Sequence, residues 1–173
     1  MNMISLYTKR LELIPITVEL CNADLASPDV LAIHLNCRIP DSWPPALLTP
    51  ETLGEFIDLL TAESGSRLYA YYWVKTGDTP DDRVLIGSGG FLQDSEGAFE
   101  LGYSVLEDFQ QKGYATEAVN EMIKWARNKP DVVCFKACTF PSLIGSIRVL
   151  EKSGFVRDGI GSEEGSIAYR LDL

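Results

Sequence analysis

Residues Gln110 to Ala115, which read Gln-Gln-Lys-Gly-Tyr-Ala, carry the clearest chemical signal in this sequence. They stand between an apolar run that predicts a strand, Phe99 to Leu106, and an amphipathic run that predicts a helix, Thr116 to Asn128. A loop at the start of a helix presents free backbone N–H groups, and the helix dipole favours negative charge there. Gly113 permits close approach of the backbone to a ligand. The spacing therefore predicts a site for phosphate or pyrophosphate.

Two well-known phosphate loops do not match this chain. The sequence has no Gly-x4-Gly-Lys-Ser/Thr run of the Walker type. The glycines between Gly87 and Gly90 lack the Gly-x-Gly-x-x-Gly spacing of a dinucleotide site, and no helical pattern follows them. The loop from Gln110 to Ala115 therefore predicts a phosphate-bearing ligand of another class.

The balance of charges limits the possible partners. The chain has 173 residues, with 15 basic and 25 acidic side chains and a net charge of −10. This length suits a single domain, residues 1–173. An acidic chain does not favour nonspecific nucleic-acid binding, which needs a basic surface. The negative field suits a cationic substrate, although solubility alone is the simpler explanation of the same charge.

The apolar segments are short. No run reaches the roughly 18 residues that a membrane span needs. The start of the chain, Met1 to Leu6, lacks a basic region followed by a long apolar core. We therefore expect no membrane association and a cytoplasmic location.

The four cysteines, Cys21, Cys37, Cys134 and Cys138, do not form a recognisable metal or disulfide pattern. On the strand predicted over Val132 to Thr139, the last two share a face about 13 Å apart, too far for a disulfide. We expect no metal and instead predict buried, reduced thiols. An acyl-enzyme on Cys138 is disfavoured, because no histidine is near it in the sequence.

The periodicity and turn residues predict the elements that must position the loop. They are a strand over Tyr7–Ile16, helices after Thr17, from Pro28 to His34 and from Pro50, strands over Arg67–Lys75, Arg83–Gln93 and Ala98–Leu106, the helix to Asn128, a strand over Val132–Thr139, a helix over Pro141–Lys152, and strands over Phe155–Gly161 and Ser166–Leu173. This order predicts an α/β domain with helices packed on a mixed sheet.

With its flanks, the loop resembles the Gln/Arg-x-x-Gly-x-Gly/Ala signature of the GNAT acetyltransferases. Glu100–Tyr103 precedes it, Thr116–Ala118 follows it, and Ser146–Phe155 comes later in the chain. Together with the opening Thr8–Leu13, these segments are similar to the RimJ/RimL branch, which acetylates protein N-terminal amines or related primary amines. The resemblance implies the GNAT fold, a central mixed and largely antiparallel twisted sheet of about six or seven strands flanked by helices.

The resemblance implies acetyl-CoA as co-substrate, with its pyrophosphate on the loop. The pantetheine arm is expected beside the strand before the loop, where this strand diverges from its neighbour. One backbone N–H between Tyr103 and Val105 is expected to polarise the thioester carbonyl. The residues implied to contact the cofactor are Tyr103, Ser104, Val105, Gln110, Gln111, Lys112, Gly113, Tyr114, Ala115, Thr116, Leu143 and Ser146.

The implied reaction is attack of a neutral amine on the thioester in a ternary complex. Glu100 is the candidate general base, directly or through water, and Ser146 is the candidate donor to the leaving thiolate. Glu100 shares a strand face with Gly102 and Ser104 unless a bulge intervenes. Many GNATs carry Asn and Tyr where this chain has Leu143 and Leu150.

The acceptor stays open at this stage. Trp43, in a Pro-rich loop, is the candidate for the acceptor pocket together with Glu100. A peptide N-terminus and a small cationic amine both suit an acidic protein. A GNAT fold that holds CoA as a sensor without turnover is the alternative, because the Asn and Tyr positions are vacant. A homodimer is also expected from the branch.

Overall fold

The computed structural model describes residues 3–63 and 67–173. In this part of the chain one sheet of eight strands has the order β1-β2-β3-β4-β5-β6-β8-β7. The strands are β1 (Leu6–Tyr7), β2 (Leu11–Pro15), β3 (Arg67–Lys75), β4 (Val84–Gln93), β5 (Ala98–Val105), β6 (Cys134–Thr139), β7 (Val156–Ile160) and β8 (Ile167–Asp172). The helices are α1 (Val18–Ala26), α2 (Pro28–Leu35), α3 (Pro50–Thr61), α4 (Tyr114–Ala126) and α5 (Ile144–Lys152).

The sheet is mixed, and neighbouring strands are antiparallel except for the parallel pair β5–β6. That pair is parallel because α4 carries the chain back across the sheet between the two strands. The predicted fold class is confirmed, with eight strands rather than six or seven. The strand predicted over Tyr7–Ile16 is divided into β1 and β2. The chain turns between them, and the backbone N–H of Leu11 donates to the Thr8 hydroxyl at this turn.

Two apolar cores lie on opposite faces of the sheet. One packs under α4 and α5, and the other packs under α1, α2 and α3. Strand β3 serves both, because alternate side chains point to opposite faces. Tyr71 and Trp73 belong to the first core, and Ala70 and Tyr72 belong to the second, as the alternation in the sequence predicts.

The helix starts follow from local hydrogen bonds. Side chains of Thr17, Ser27 and Thr49 cap α1, α2 and α3 by accepting backbone N–H bonds, as their residue types favour. Helix α5 begins at Ile144 rather than at Pro141, because a turn comes first, in which the Leu143 N–H donates to the carbonyl of Phe140. None of the helices described is long and apolar enough to cross a bilayer.

The cysteines only partly follow the prediction of buried thiols. Cys21 and Cys134 are buried, Cys37 is half-buried and Cys138 is exposed. Cys138 is exposed because β6 turns it, with Lys136, to the sheet face opposite α4 and α5. Within residues 3–63 and 67–173, no cluster of three metal-ligating side chains is present.

Candidate active site

The predicted anion loop lies at the start of α4. Gly113 has φ of +84° and Gln111 has φ of +58°, so two residues of this short loop adopt the left-handed conformation. Gly113 accepts the first hydrogen bond of α4, from the Glu117 N–H, and the helix therefore begins at Tyr114, two residues before the predicted Thr116. The first N–H groups of α4 have no partner inside the helix and point toward the exposed loop. This is the geometry that an anion site needs.

The loop is held by a brace between the start of the chain and α4. The Thr8 hydroxyl and the Arg10 backbone N–H donate to one oxygen of Glu117, at 2.6 and 2.8 Å. The Arg10 Nε donates to the other oxygen at 2.7 Å, and its Nη1 donates to the Lys112 carbonyl at 3.0 Å. The guanidinium also lies 4.2 Å from the centre of the Tyr114 ring. The brace ties the loop to the sheet edge.

The same brace sets the acidity of Glu117. Partial burial favours the protonated form, but the hydrogen bonds from Thr8 and Arg10 outweigh it and lower the pKa of this carboxyl. The two segments that form the brace, Thr8–Leu13 and Thr116–Ala118, carried the family resemblance in the sequence. Their contact was not predicted, because more than a hundred residues separate Arg10 from Glu117.

The side chains at the tip of the loop turn back onto its own backbone. The Gln110 amide donates to the Val105 carbonyl at 2.9 Å, and the Lys112 ammonium donates to the Asp108 carbonyl. The backbone is therefore what the tip offers to a ligand, and Ala115 and Thr116 are half-buried in the first turn of α4.

Strands β5 and β6 diverge beside the loop. Their pairing ends at Leu101 and Ala137, although β5 continues to Val105 and β6 to Thr139. The Leu106 N–H donates to the Ile86 carbonyl. Because antiparallel ladders alternate, the N–H and C=O groups of Tyr103 and Val105 point away from β4, into the gap that β6 leaves. The backbone site predicted between Tyr103 and Val105 thus opens into a gap next to the anion loop.

A cleft of about 300 Å³ lies on the α1–α3 side of β5. Its floor contains Glu100, Gly102 and Ser104, which share one strand face, and the β4–β5 register has no bulge between Phe99 and Val105. Glu100 is exposed. The wall of the cleft is formed by side chains that are mostly apolar, namely Leu47, Leu48, Thr52, Phe56, Leu68 and Leu92.

The opposite face of β5 carries a pair of hydroxyls. Tyr103 Oη donates to Ser146 Oγ of α5 at 3.3 Å, and the Tyr103 ring stacks on Trp73 with centroids 6.1 Å apart. Burial raises the pKa of Tyr103, and the bond with Ser146 offsets this only in part. The phenol therefore stays protonated near neutral pH. The sequence predicted Ser146 and the Tyr103 backbone, but it did not predict the Tyr103 hydroxyl.

The two leucines of α5 differ in their surroundings. Leu150 is 1% exposed and packs in the core under α5. Leu143, at the N-terminal end of the helix, is 51% exposed and has exposed apolar neighbours in Phe140 and Ile144. Leu143 therefore presents an exposed apolar side chain that has no hydrogen-bonding group.

Trp43 lies away from the cleft wall. It is buried between α1 and β3, with its ring centroid 6.0 Å from that of Tyr72. Its indole N–H donates to Asp24 at 2.9 Å, and the Tyr72 hydroxyl donates to the same carboxyl at 2.7 Å. Burial raises the pKa of Asp24 despite these two bonds. The structure gives Trp43 a packing role beneath the helices, rather than the place on the acceptor pocket that the sequence suggested.

Comparisons with known proteins identify the family. The model of the acetyltransferase (GNAT) domain matches residues 10–156. The chain belongs to the GNAT acetyltransferases. This GNAT chain is 27% identical over 156 residues to the uncharacterized N-acetyltransferase YjdG of Bacillus subtilis, covering 89% of this chain and 90% of that one.

Solved structures share the whole fold of this acetyltransferase. An acetyltransferase from Agrobacterium tumefaciens has a TM-score of 0.67 and 23% identity, covering 100% of this chain and 96% of that one. RimL, a ribosomal alpha-N-protein acetyltransferase solved in complex with coenzyme A, has a TM-score of 0.64 and 17% identity, covering 96% of each chain. The family predicted from the motifs is confirmed, and RimL is among the proteins with this fold.

Proposed function

We propose that this N-acetyltransferase moves the acetyl group of acetyl-CoA to a primary amine by direct attack in a ternary complex. The observation that carries the proposal is the gap between β5 and β6. It places the backbone of Tyr103 and Val105 between the anion loop and the cleft that contains Glu100. The two substrates can therefore meet at β5 from opposite faces of the sheet.

The donor side of the site fits coenzyme A. The N–H groups of Gln111 to Thr116 hold the pyrophosphate at the start of α4. The backbone groups of Tyr103 and the Val105 N–H pair with the pantetheine amides, and Leu143 covers the apolar part of the arm. The coenzyme A bound by RimL supports this assignment. Acetyl-CoA supplies the activated acyl group, and the Tyr103 N–H polarises its carbonyl.

The acceptor side uses Glu100. Its carboxylate lies on the cleft floor and takes the proton of the incoming ammonium, directly or through water. On the other face, Ser146 donates a proton to the departing thiolate, because its hydroxyl accepts from Tyr103 and keeps its own hydrogen free. Peptide N-termini and small amines are both acceptors that this arrangement admits.

Acetyl-CoA titration followed by thiol release tests the proposal. Isothermal titration is expected to show binding, and a panel of amines and peptides is expected to release free CoA thiol. Glu100→Gln is expected to lower kcat with little change in acetyl-CoA affinity, since Glu100 lies on the acceptor face. No binding at high micromolar acetyl-CoA would refute the proposal at its first step.

A CoA-binding sensor without turnover is the second candidate. It is favoured by Leu143 and Leu150, which place no polar side chain at positions that many GNATs use. Tight acetyl-CoA binding with no thiol release on any acceptor supports the sensor, and robust turnover on one acceptor eliminates it. The homodimer and the cytoplasmic location stay predictions.

A further inference from the structure

The cleft next to Glu100 has an apolar wall that is only partly buried. Leu47 is 68% exposed and Leu92 is 36% exposed, while Phe56 and Leu68 are half-buried. Exposed apolar side chains that gather in one concave place are typical of a binding site. A ligand that covers them gains free energy from the apolar area removed from water.

The hydroxyls of the cleft are largely engaged with the protein. Ser104 Oγ accepts from the Leu47 N–H at 3.4 Å, and the Thr52 hydroxyl donates to the Leu47 carbonyl at 3.2 Å. These two bonds also hold Leu47 over the strand. The wall thus offers few free polar groups to a ligand that is rich in hydroxyls.

A row of side chains crosses the sheet through Glu100. Leu68 of β3 pairs with Leu92 of β4, Leu92 pairs with Glu100 of β5, and Glu100 pairs with Lys136 of β6. Directly opposed side chains in a sheet have their Cβ atoms about 5 Å apart. Glu100 therefore has an apolar neighbour on one side and Lys136 on the other, and the Lys136 ammonium lies 4.0 Å from a carboxylate oxygen of Asp94.

We infer from this row that the acceptor is a primary amine with one positive charge and an apolar group close to it. This inference rests on the proposed function. The amine lies at Glu100, and the apolar group lies against Leu92, Leu68 and the half-buried Phe56. Among the described residues that line the cleft, Glu100 is the one carboxylate, so the cleft lining offers no counter-charge to a second ammonium. Polyamines and aminoglycosides are therefore poor acceptors.

Acetylation rates over matched acceptors test the inference. The panel consists of two tripeptides that differ only in Leu or Gly at the first position, leucinamide, spermidine and kanamycin. The free energy gained by burying one leucine side chain corresponds to a roughly 10- to 100-fold change in an equilibrium or rate constant. The kcat/KM of the Leu tripeptide is therefore expected to exceed that of the Gly tripeptide by about this factor. Leucinamide tests whether the acceptor needs peptide beyond its first residue. If leucinamide and the Leu tripeptide have equal kcat/KM, the first residue suffices.

Two variants and one control separate the cleft from general effects on folding. Leu92→Ser is expected to bring the Leu-to-Gly ratio close to one. Leu25→Ser, at a leucine of α1 that is 44% exposed and outside the cleft, is expected to leave the ratio unchanged. Lys136→Glu is expected to raise activity on spermidine, because it adds a second carboxylate beside Glu100 and removes the ammonium that pairs with Asp94.

Equal rates on the two tripeptides, or a preference for spermidine or kanamycin, would overturn the inference while the proposed function stands. Absence of turnover on every acceptor, with acetyl-CoA still bound, would overturn both. The apolar group is assigned to the cleft. This assignment would also be refuted if Leu25→Ser lowered the Leu-to-Gly ratio of kcat/KM as much as Leu92→Ser does.

Discussion

Replacement of Arg10 by methionine tests whether the brace shapes the anion loop. The variant keeps an apolar stem of similar length and the backbone bond to Glu117, but it removes the guanidinium bonds to Glu117 and to the Lys112 carbonyl, together with the contact on Tyr114. A hydrogen bond to a charged partner contributes about 1.5–3 kcal/mol, and an exposed cation–π contact adds about 0.5–1 kcal/mol. Arg10 is 39% exposed, and solvent therefore screens the ion pair. We expect the variant to lose about 2–3 kcal/mol of unfolding free energy.

Thermal unfolding measures this loss directly. For a domain of this size, 1 kcal/mol lowers Tm by roughly 2–4 °C, so the expected decrease is about 4–12 °C. Arg170→Met is the matched control. Arg170 is 37% exposed and makes an ion pair of the same 2.7 Å length, but its partner Asp172 is 77% exposed. The control is therefore expected to lose less than about 1 kcal/mol.

The acidity of Glu117 gives the prediction a pH signature. The folded-state pKa of this carboxyl lies below its ordinary value of 4.5. Its stabilisation is therefore complete above pH 4.5 and is lost as the pH falls through the folded-state pKa. The Tm difference between wild type and Arg10→Met is expected to narrow below pH 4.5. Equal Tm losses in the Arg10 and Arg170 variants, or a difference that widens in acid, would refute the role of the brace.

Four further variants test other parts of the protein. Gly113→Val places a β-branched residue at φ of +84° with its Cβ 3.3 Å from the Arg10 guanidinium, so titration is expected to show acetyl-CoA affinity at least about tenfold weaker. Ser146→Ala is expected to lower kcat with acetyl-CoA affinity retained, whereas Tyr103→Phe is expected to lower kcat less, because Ser146 keeps its own proton. Equal effects of these two variants on acetyl-CoA affinity alone would contradict the assignment. Asp24→Ala leaves two buried donors without an acceptor and is expected to cost about 2–4 kcal/mol in denaturant unfolding. A loss below about 1 kcal/mol would show that water or backbone groups replace the carboxylate.

Local patterns in the sequence were sufficient to predict the order of the elements and the position of the loop before α4. Strand β3 was predicted with its observed bounds, Arg67–Lys75, because its side chains alternate and turn residues follow it. The start of α4 was predicted at Thr116, two residues too late, because Gly113 was interpreted as a point of close approach to a ligand. Ser146 and Glu100 became candidate catalytic residues through the resemblance of their flanking segments, which are short and continuous in the chain, and their roles stay predictions.

Contacts between distant segments were beyond such patterns. Arg10 and Glu117 each look like exposed charges in the sequence, and only the packing of α4 against the sheet edge joins them. Trp43 stands in a Pro-rich loop that suggested a binding role, yet its indole N–H bonds to the half-buried carboxyl of Asp24 and its ring packs in the core. Residue type alone did not indicate which of these polar groups would find a buried partner.

The sequence by itself thus predicts the proposed donor site, because a loop with free backbone N–H groups is built from consecutive residues. The proposed acceptor site is decided by the tertiary structure. The cleft draws Leu47, Leu68, Leu92 and Glu100 from four separate segments, and their neighbours depend on strand register and on where β5 parts from β6. Register is a long-range property, since a shift of one residue would turn each of these side chains to the other face.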